Sequence, residues 1–203
     1  MTTNFIVANT RLEYDWSSFF SVISTLPYFT CDDYDLKSCI EGIALKSYTG
    51  KIEDLLRYKS PEKSEDYSYT GIYYAIPILK RLVDFFEVNT TRIRIFKQRP
   101  GVQTPFHLDY NNDNNYDKDL IRIWTLLNDN KNKEFLFGFR YADGTEEFMP
   151  LKQGQSVIFD PDTAFHSVQN NSNNHDRYSL LITCNPNNWL KNFAKENRTF
   201  KID

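Results

Sequence analysis

Glu134-Phe135-Leu136-Phe137-Gly138-Phe139-Arg140-Tyr141-Ala142-Asp143-Gly144 decides the architecture of the second half of this chain. Phe135, Phe137, Phe139 and Tyr141 fall on every second position, the period of a strand with one buried face. Asp143-Gly144 is a tight-turn signal, and Thr145–Met149 reads as the returning strand. The same period continues outward on both sides. Arg92–Lys97, Thr104–Tyr110 and Ile121–Leu127 precede the hairpin, and Ser156–Phe159, Ala164–Val168 and Tyr178–Thr183 follow it. About eight short strands at regular intervals predict a sandwich or barrel.

Towards the N-terminus the period changes near Asn89, and helical patterns are expected. Asp15 is placed to cap a helix through Phe19, Phe20, Val22 and Ile23 that stops before Pro27. Ile52–Tyr58 is a short amphipathic candidate, and Ser60–Ser68 reads as an exposed loop. Ile76–Val88 carries Ile78, Leu79, Leu82, Val83, Phe85 and Phe86 at spacings near three and four, an apolar helical stripe. The expected organisation is one domain over residues 1–203: a mostly helical support at 1–89, a β core at 90–185 and a tail at 186–203.

The chain has 203 residues, of which 40% are hydrophobic and 16% aromatic, enough for a sizeable core. Its net charge of −3 comes without a basic face, so a nucleic-acid partner is not expected. Cys31, Cys39 and Cys184 are odd in number and lack CxxC spacing, which argues against a disulfide framework or a zinc cluster and suits a reducing compartment. No secretory pattern opens the sequence and no window is apolar enough for a membrane span, so a cytoplasmic protein without a membrane partner is expected.

The chemistry is carried by His107-Leu108-Asp109. In a strand the two polar side chains share one face with backbones about 6.5–7 Å apart, close enough for both to reach one cation at about 2.0–2.2 Å. HxD alone also arises in unrelated surface or core settings, but the chain has only three histidines, and two lie in strand-like contexts. His166 lies 166 − 109 = 57 residues beyond Asp109 and is the expected third ligand. Two histidines and a carboxylate on one triangular face are the pattern of non-haem iron(II) oxygenases. His175, within Asn-Asn-His-Asp, reads as a solvated loop residue. Arg177 opens an apolar strand, a poor place for an unpartnered guanidinium but a good one for gripping a carboxylate with both prongs; a salt bridge to Asp176 or Asp160 is the alternative.

Arg99-Pro100-Gly101, Pro105-Phe106-His107, Arg122-Ile123-Trp124, Gly154 to Asp160, His166 to Asn170 and Arg177, in that order, resemble the aspartyl/asparaginyl β-hydroxylase family over about Arg92–Thr183. That family belongs to the 2-oxoglutarate oxygenases. The resemblance implies an α+β, mainly β fold: a double-stranded β-helix, the jelly-roll or cupin-like barrel, with helices from the N-terminal half. It implies Fe(II), 2-oxoglutarate and dioxygen as cofactor and cosubstrates, with His107, Asp109 and His166 as the iron ligands. Arg177 would bind the distal carboxylate of 2-oxoglutarate, and Arg122 matches an arginine that also contacts the cosubstrate in some members. Asp109 places the chain with the complete-triad members. Trp124 stands where the animal peptide hydroxylases have histidine, which argues against their substrates.

The expected reaction is hydroxylation of an unactivated C–H bond in a small molecule such as a free amino acid, or in an amino-acid side chain of a protein. A cupin-type metal enzyme without 2-oxoglutarate, or a non-enzymatic cupin-like binding module, are the competing readings; neither needs Arg177. Trp124 is read as core or substrate contact, and Arg94, between Ile93 and Ile95, as a solvated edge or a substrate-carboxylate contact at the barrel mouth. The polar run Asn111–Asp119 is a candidate lid or a disordered loop; it lacks the Gly and closing Glu of a calcium loop.

Overall fold

The computed structural model describes residues 5–30, 40–56, 63–109, 120–196 and 199–202. In chain order these form β1 (Phe5–Glu13), α1 (Trp16–Ile23), β2 (Phe29–Thr30), β3 (Ile40–Ser47), β4 (Ser68–Tyr69), α2 (Gly71–Ala75), α3 (Pro77–Asp84) and β5 (Thr90–Gln98). The second half adds β6 (Ile121–Leu126), β7 (Phe135–Arg140), β8 (Glu146–Pro150), β9 (Gln155–Phe159), β10 (Phe165–Asn170), β11 (Arg177–Cys184), α4 (Asn188–Lys195) and β12 (Thr199–Lys201). The large sheet runs β12-β1-β9-β6-β11-β5-β3-β2, with β4 beside β3, and the small one runs β10-β7-β8. Every pairing is antiparallel except β1 with β12.

Alternation along the central strands splits the interior into two layers. Ile93 and Ile95 of β5, Ile123 of β6, and Leu180, Ile182 and Cys184 of β11 turn to one side, where they pack against Phe19, Leu79, Leu82 and Phe193 of the helices. Each such fully buried side chain stabilises the fold by roughly 1.5–3 kcal/mol. Trp124, Val157, Phe159 and Leu181 turn the other way and meet Phe135, Phe137, Phe139 and Val168 of the small sheet. The result is helices, large sheet and small sheet in layers, the mainly β jelly-roll arrangement.

Several expectations hold in detail. The Asp15 carboxylate accepts from the Ser18 amide at 3.0 Å and caps α1. The β7–β8 hairpin turns at Gly144, whose φ of +84° suits a residue without Cβ. Others are corrected. The segment before Asn89 is not mostly helical, because β1 and β3 lie inside the large sheet. The long helix ends at Asp84, and α2 precedes it. The described part of Ile52–Tyr58 is not helical: Asp54 accepts from the amide and hydroxyl of Thr49 at 2.9 and 2.7 Å, a side-chain bonding pattern that competes with helix. The tail carries α4 and β12.

Thr104–Tyr110 is not a regular strand either. The segment runs along β10 through isolated bridges at Gln103–Gln169 and His107–His166, since Pro105 has no amide hydrogen to give to a ladder. Among the described residues no continuous ladder joins the two sheets, so the expected barrel is open on this side. Tyr110, the Asn111–Asp119 run, Cys31 and Cys39 lie outside the described residues. No described helix is long and apolar enough to cross a membrane.

Candidate metal centre and anion pocket

His107 and His166 face one another because their backbones exchange two hydrogen bonds of 3.0 Å across the bridge. Their rings lie 4.4 Å apart between centroids. Asp109 follows two residues on, its amide donating to the Pro161 carbonyl at 3.0 Å, which turns its carboxylate back towards both rings. Oδ1 lies 3.6 Å from His107 Nε2, and Oδ2 lies 3.5 Å from His166 Nε2. Both separations are shorter than twice a metal–ligand distance of about 2.1 Å, so one cation can touch all three groups. The three ligand atoms all fall within 4.8 Å of one another.

Hydrogen bonding sets the tautomers. His107 Nδ1 lies 3.0 Å from the Pro105 carbonyl and His166 Nδ1 lies 2.9 Å from the Ala164 carbonyl. A carbonyl only accepts, so each Nδ1 carries the hydrogen and each Nε2 offers its lone pair to the centre. Burial pulls the His107 pKa below its usual value, and burial together with the neighbouring His107 pulls His166 well below. Both are therefore neutral, metal-ready ligands at pH 7. Phe159 closes on the buried His166 ring at 4.7 Å, which fixes its orientation.

Arg122, on β6, donates from Nη1 to Asp109 Oδ2. The structure thus brings this arginine onto the triad's own carboxylate, which it meets at Oδ2. Arg177 stands elsewhere in the same cavity, which Trp124, Phe137, Phe159, Val168 and Leu181 also line. Its side chain is fully buried, and its guanidinium lies over the Trp124 ring at 5.1 Å. Neither Nε nor Nη1 has a hydrogen-bond partner. Burial lowers its pKa to about 9, which leaves it charged at neutral pH. The alternative salt bridge is not formed: Asp176 pairs with Lys97, and Asp160 accepts from Asp162 and Thr163.

Trp124 is both core and cavity wall. Arg94 is no solvated edge: β5 lies between β11 and β3, and the side chain is buried against the cavity. His175 is exposed, as expected of a loop residue. Ser179 was missed. It lines the cavity two residues after Arg177, on the same face, and its buried hydroxyl also lacks a partner. The spacing Arg-x-Ser at the head of a strand was the available signal.

No protein-family model matches the sequence, and the curated proteins contain no match. Solved structures do match. An oxidoreductase of the 2OG-Fe(II) oxygenase family from Burkholderia pseudomallei superposes with a TM-score of 0.52 at 12% identity, over 92% of this chain and 82% of that one. The non-heme alpha-ketoglutarate-dependent epimerase SnoN of nogalamycin biosynthesis gives 0.53 at 10% identity, over 88% and 75%. At these identities the likeness is one of architecture: the chain has the jelly-roll fold shared by 2-oxoglutarate–iron(II) oxygenases.

Proposed function

We propose that this chain is a 2-oxoglutarate-dependent iron(II) oxygenase that hydroxylates a C–H bond of a small molecule, such as a free amino acid, or of an amino-acid side chain. The observation that carries this reading is Arg177: a fully buried guanidinium with two unpartnered nitrogens, in the same cavity as a His-Asp-His cluster. An unpaired buried cation is costly, and an anionic ligand that enters the cavity relieves it.

The residues fit the groups. His107, Asp109 and His166 supply the two imidazoles and one carboxylate that suit iron(II) and leave positions open for other ligands. Arg177 and the Ser179 hydroxyl would hold the distal carboxylate of 2-oxoglutarate. When bound, the iron and 2-oxoglutarate supply oxidation by dioxygen: substrate R–H, 2-oxoglutarate and O₂ become R–OH, succinate and CO₂. The chain's own part is placement. Arg122 fixes Asp109, the two backbone carbonyls fix the imidazoles, and Trp124, Phe137 and Phe159 keep water from the reacting carbon. The motif order from Arg99 to Arg177 supports the aspartyl/asparaginyl β-hydroxylase branch of that superfamily.

Anaerobic addition of Fe(II) and 2-oxoglutarate should give a visible charge-transfer band, and oxygen should then release succinate. Arg177→Ala should weaken 2-oxoglutarate binding about a hundredfold to a few thousandfold, the cost of removing one partner from a buried ion pair. A band that survives at equal affinity overturns the assignment. A metal enzyme of another class, or a binding module, gives neither band nor succinate.

A further inference from the structure

Three arginines line the cavity, and the reading above uses two: Arg122 on Asp109, and Arg177 for 2-oxoglutarate. Arg94 is the third. It sits mid-strand on β5, in the same cross-strand row as Leu181 of β11 and Trp124 of β6, and all three line the cavity. Arg177 pairs with Gln98, four residues along β5, so the two arginine backbones lie roughly 13 Å apart along the strands. The two guanidiniums therefore enter one space from different rows of the sheet.

Arg94 is also held in place. Nη1 donates to the Leu55 carbonyl at 3.0 Å, and the guanidinium lies over the Phe96 ring at 5.0 Å. A side chain fixed in this way loses little further freedom when a ligand arrives, which is the condition for a specific contact. Only 4% of the residue is exposed. The described lining carries the guanidiniums of Arg94, Arg122 and Arg177 together with the carboxylate of Asp109. Beside Arg94 the wall is apolar, with Phe96 under its guanidinium and Leu181 opposite it on β11.

We infer that Arg94 is a substrate-binding residue and that the substrate is a small free acid, a carboxylate joined to an apolar body. The inference rests on the oxygenase reading and deepens it. Arg94 takes the substrate carboxylate, while the apolar wall takes the rest. A residue inside a protein chain has its α-carboxylate tied up in an amide, so the free molecule is selected over the peptide.

The test uses protein loaded with Zn(II), which is redox-inert, and saturating 2-oxoglutarate. Free L-leucine, L-isoleucine, L-valine, L-proline and L-phenylalanine are titrated by calorimetry, each beside its α-amide. At least one acid should bind, with its amide about tenfold weaker or worse, about 1.4 kcal/mol. Arg94→Gln should remove that preference, and Arg94→Lys, which keeps the charge but not the fork, should restore part of it. The inference is overturned if no acid of the set binds, if acids and amides bind alike, or if the preference survives Arg94→Gln. Loss of 2-oxoglutarate binding in Arg94→Gln would place this arginine on the cosubstrate and overturn it too. Failure of the wild-type protein to take up 2-oxoglutarate at all strikes the oxygenase reading itself, before any acid is added.

Discussion

Replacing Arg177 with methionine should make the ligand-free protein more stable while destroying its grip on 2-oxoglutarate. Methionine roughly matches the length of the arginine stem and keeps contact with an aromatic face. In the native chain two buried nitrogens, Nε and Nη1, lack partners. Each unsatisfied buried polar group costs about 1–3 kcal/mol, so removing both should return roughly 2–6 kcal/mol. Against this stands the loss of the guanidinium–Trp124 contact at 5.1 Å, worth about 2 kcal/mol when desolvated. The net gain is then roughly 0–4 kcal/mol. Urea denaturation without ligand reads it as a higher midpoint at unchanged slope, and calorimetry with 2-oxoglutarate reads the lost affinity. A variant that is less stable by 1 kcal/mol or more, like an ordinary core disruption, would refute the idea that Arg177 waits for an anion.

Metal-free protein should lose stability as the pH falls below about 6.5. Both imidazoles have lowered pKa values in the fold, so below 6.5 the unfolded chain binds more protons, and each histidine contributes up to about 1.4 kcal/mol per pH unit until its folded pKa is reached. Urea midpoints at pH 7.5 and 5.5 measure this, and His166→Gln should flatten part of the slope; an identical slope in the variant contradicts it. Gly154→Ala should destabilise the protein by roughly 2–4 kcal/mol, since φ is +76° and a Cβ would fall 2.2 Å from the Leu12 carbonyl oxygen. A thermal melt that leaves Tm unchanged would show that the β1–β9 junction gives way more easily than its geometry implies.

The strands after Asn89 were legible because one face of each meets the helices or the small sheet and the pattern alternates accordingly. β3 was not legible: its burial is nearly continuous from Gly42 to Ser47, so no period of two survives to mark it. β1 was hidden for another reason: the polar run Asn9, Thr10 and Arg11 at its centre interrupts the apolar alternation in the sequence. The triad could be read because three histidines leave few combinations and HxD puts two donors on one side. The partner of Arg122 could not, because its contact with Asp109 depends on where the irregular segment after Pro105 meets β6. Arg94 looked like an edge residue because an arginine among isoleucines usually reaches water; only the position of β5 between β11 and β3 puts it inside.

Titration of metal-free protein with Co(II), followed by its visible spectrum and by calorimetry, probes the centre most directly. One cobalt ion per chain should bind, and each of His107→Ala, Asp109→Ala and His166→Ala should remove or severely weaken that binding without unfolding the chain. Binding that is absent in the native protein, or indifferent to all three substitutions, would mean that His107, Asp109 and His166 meet for some reason other than holding a metal ion.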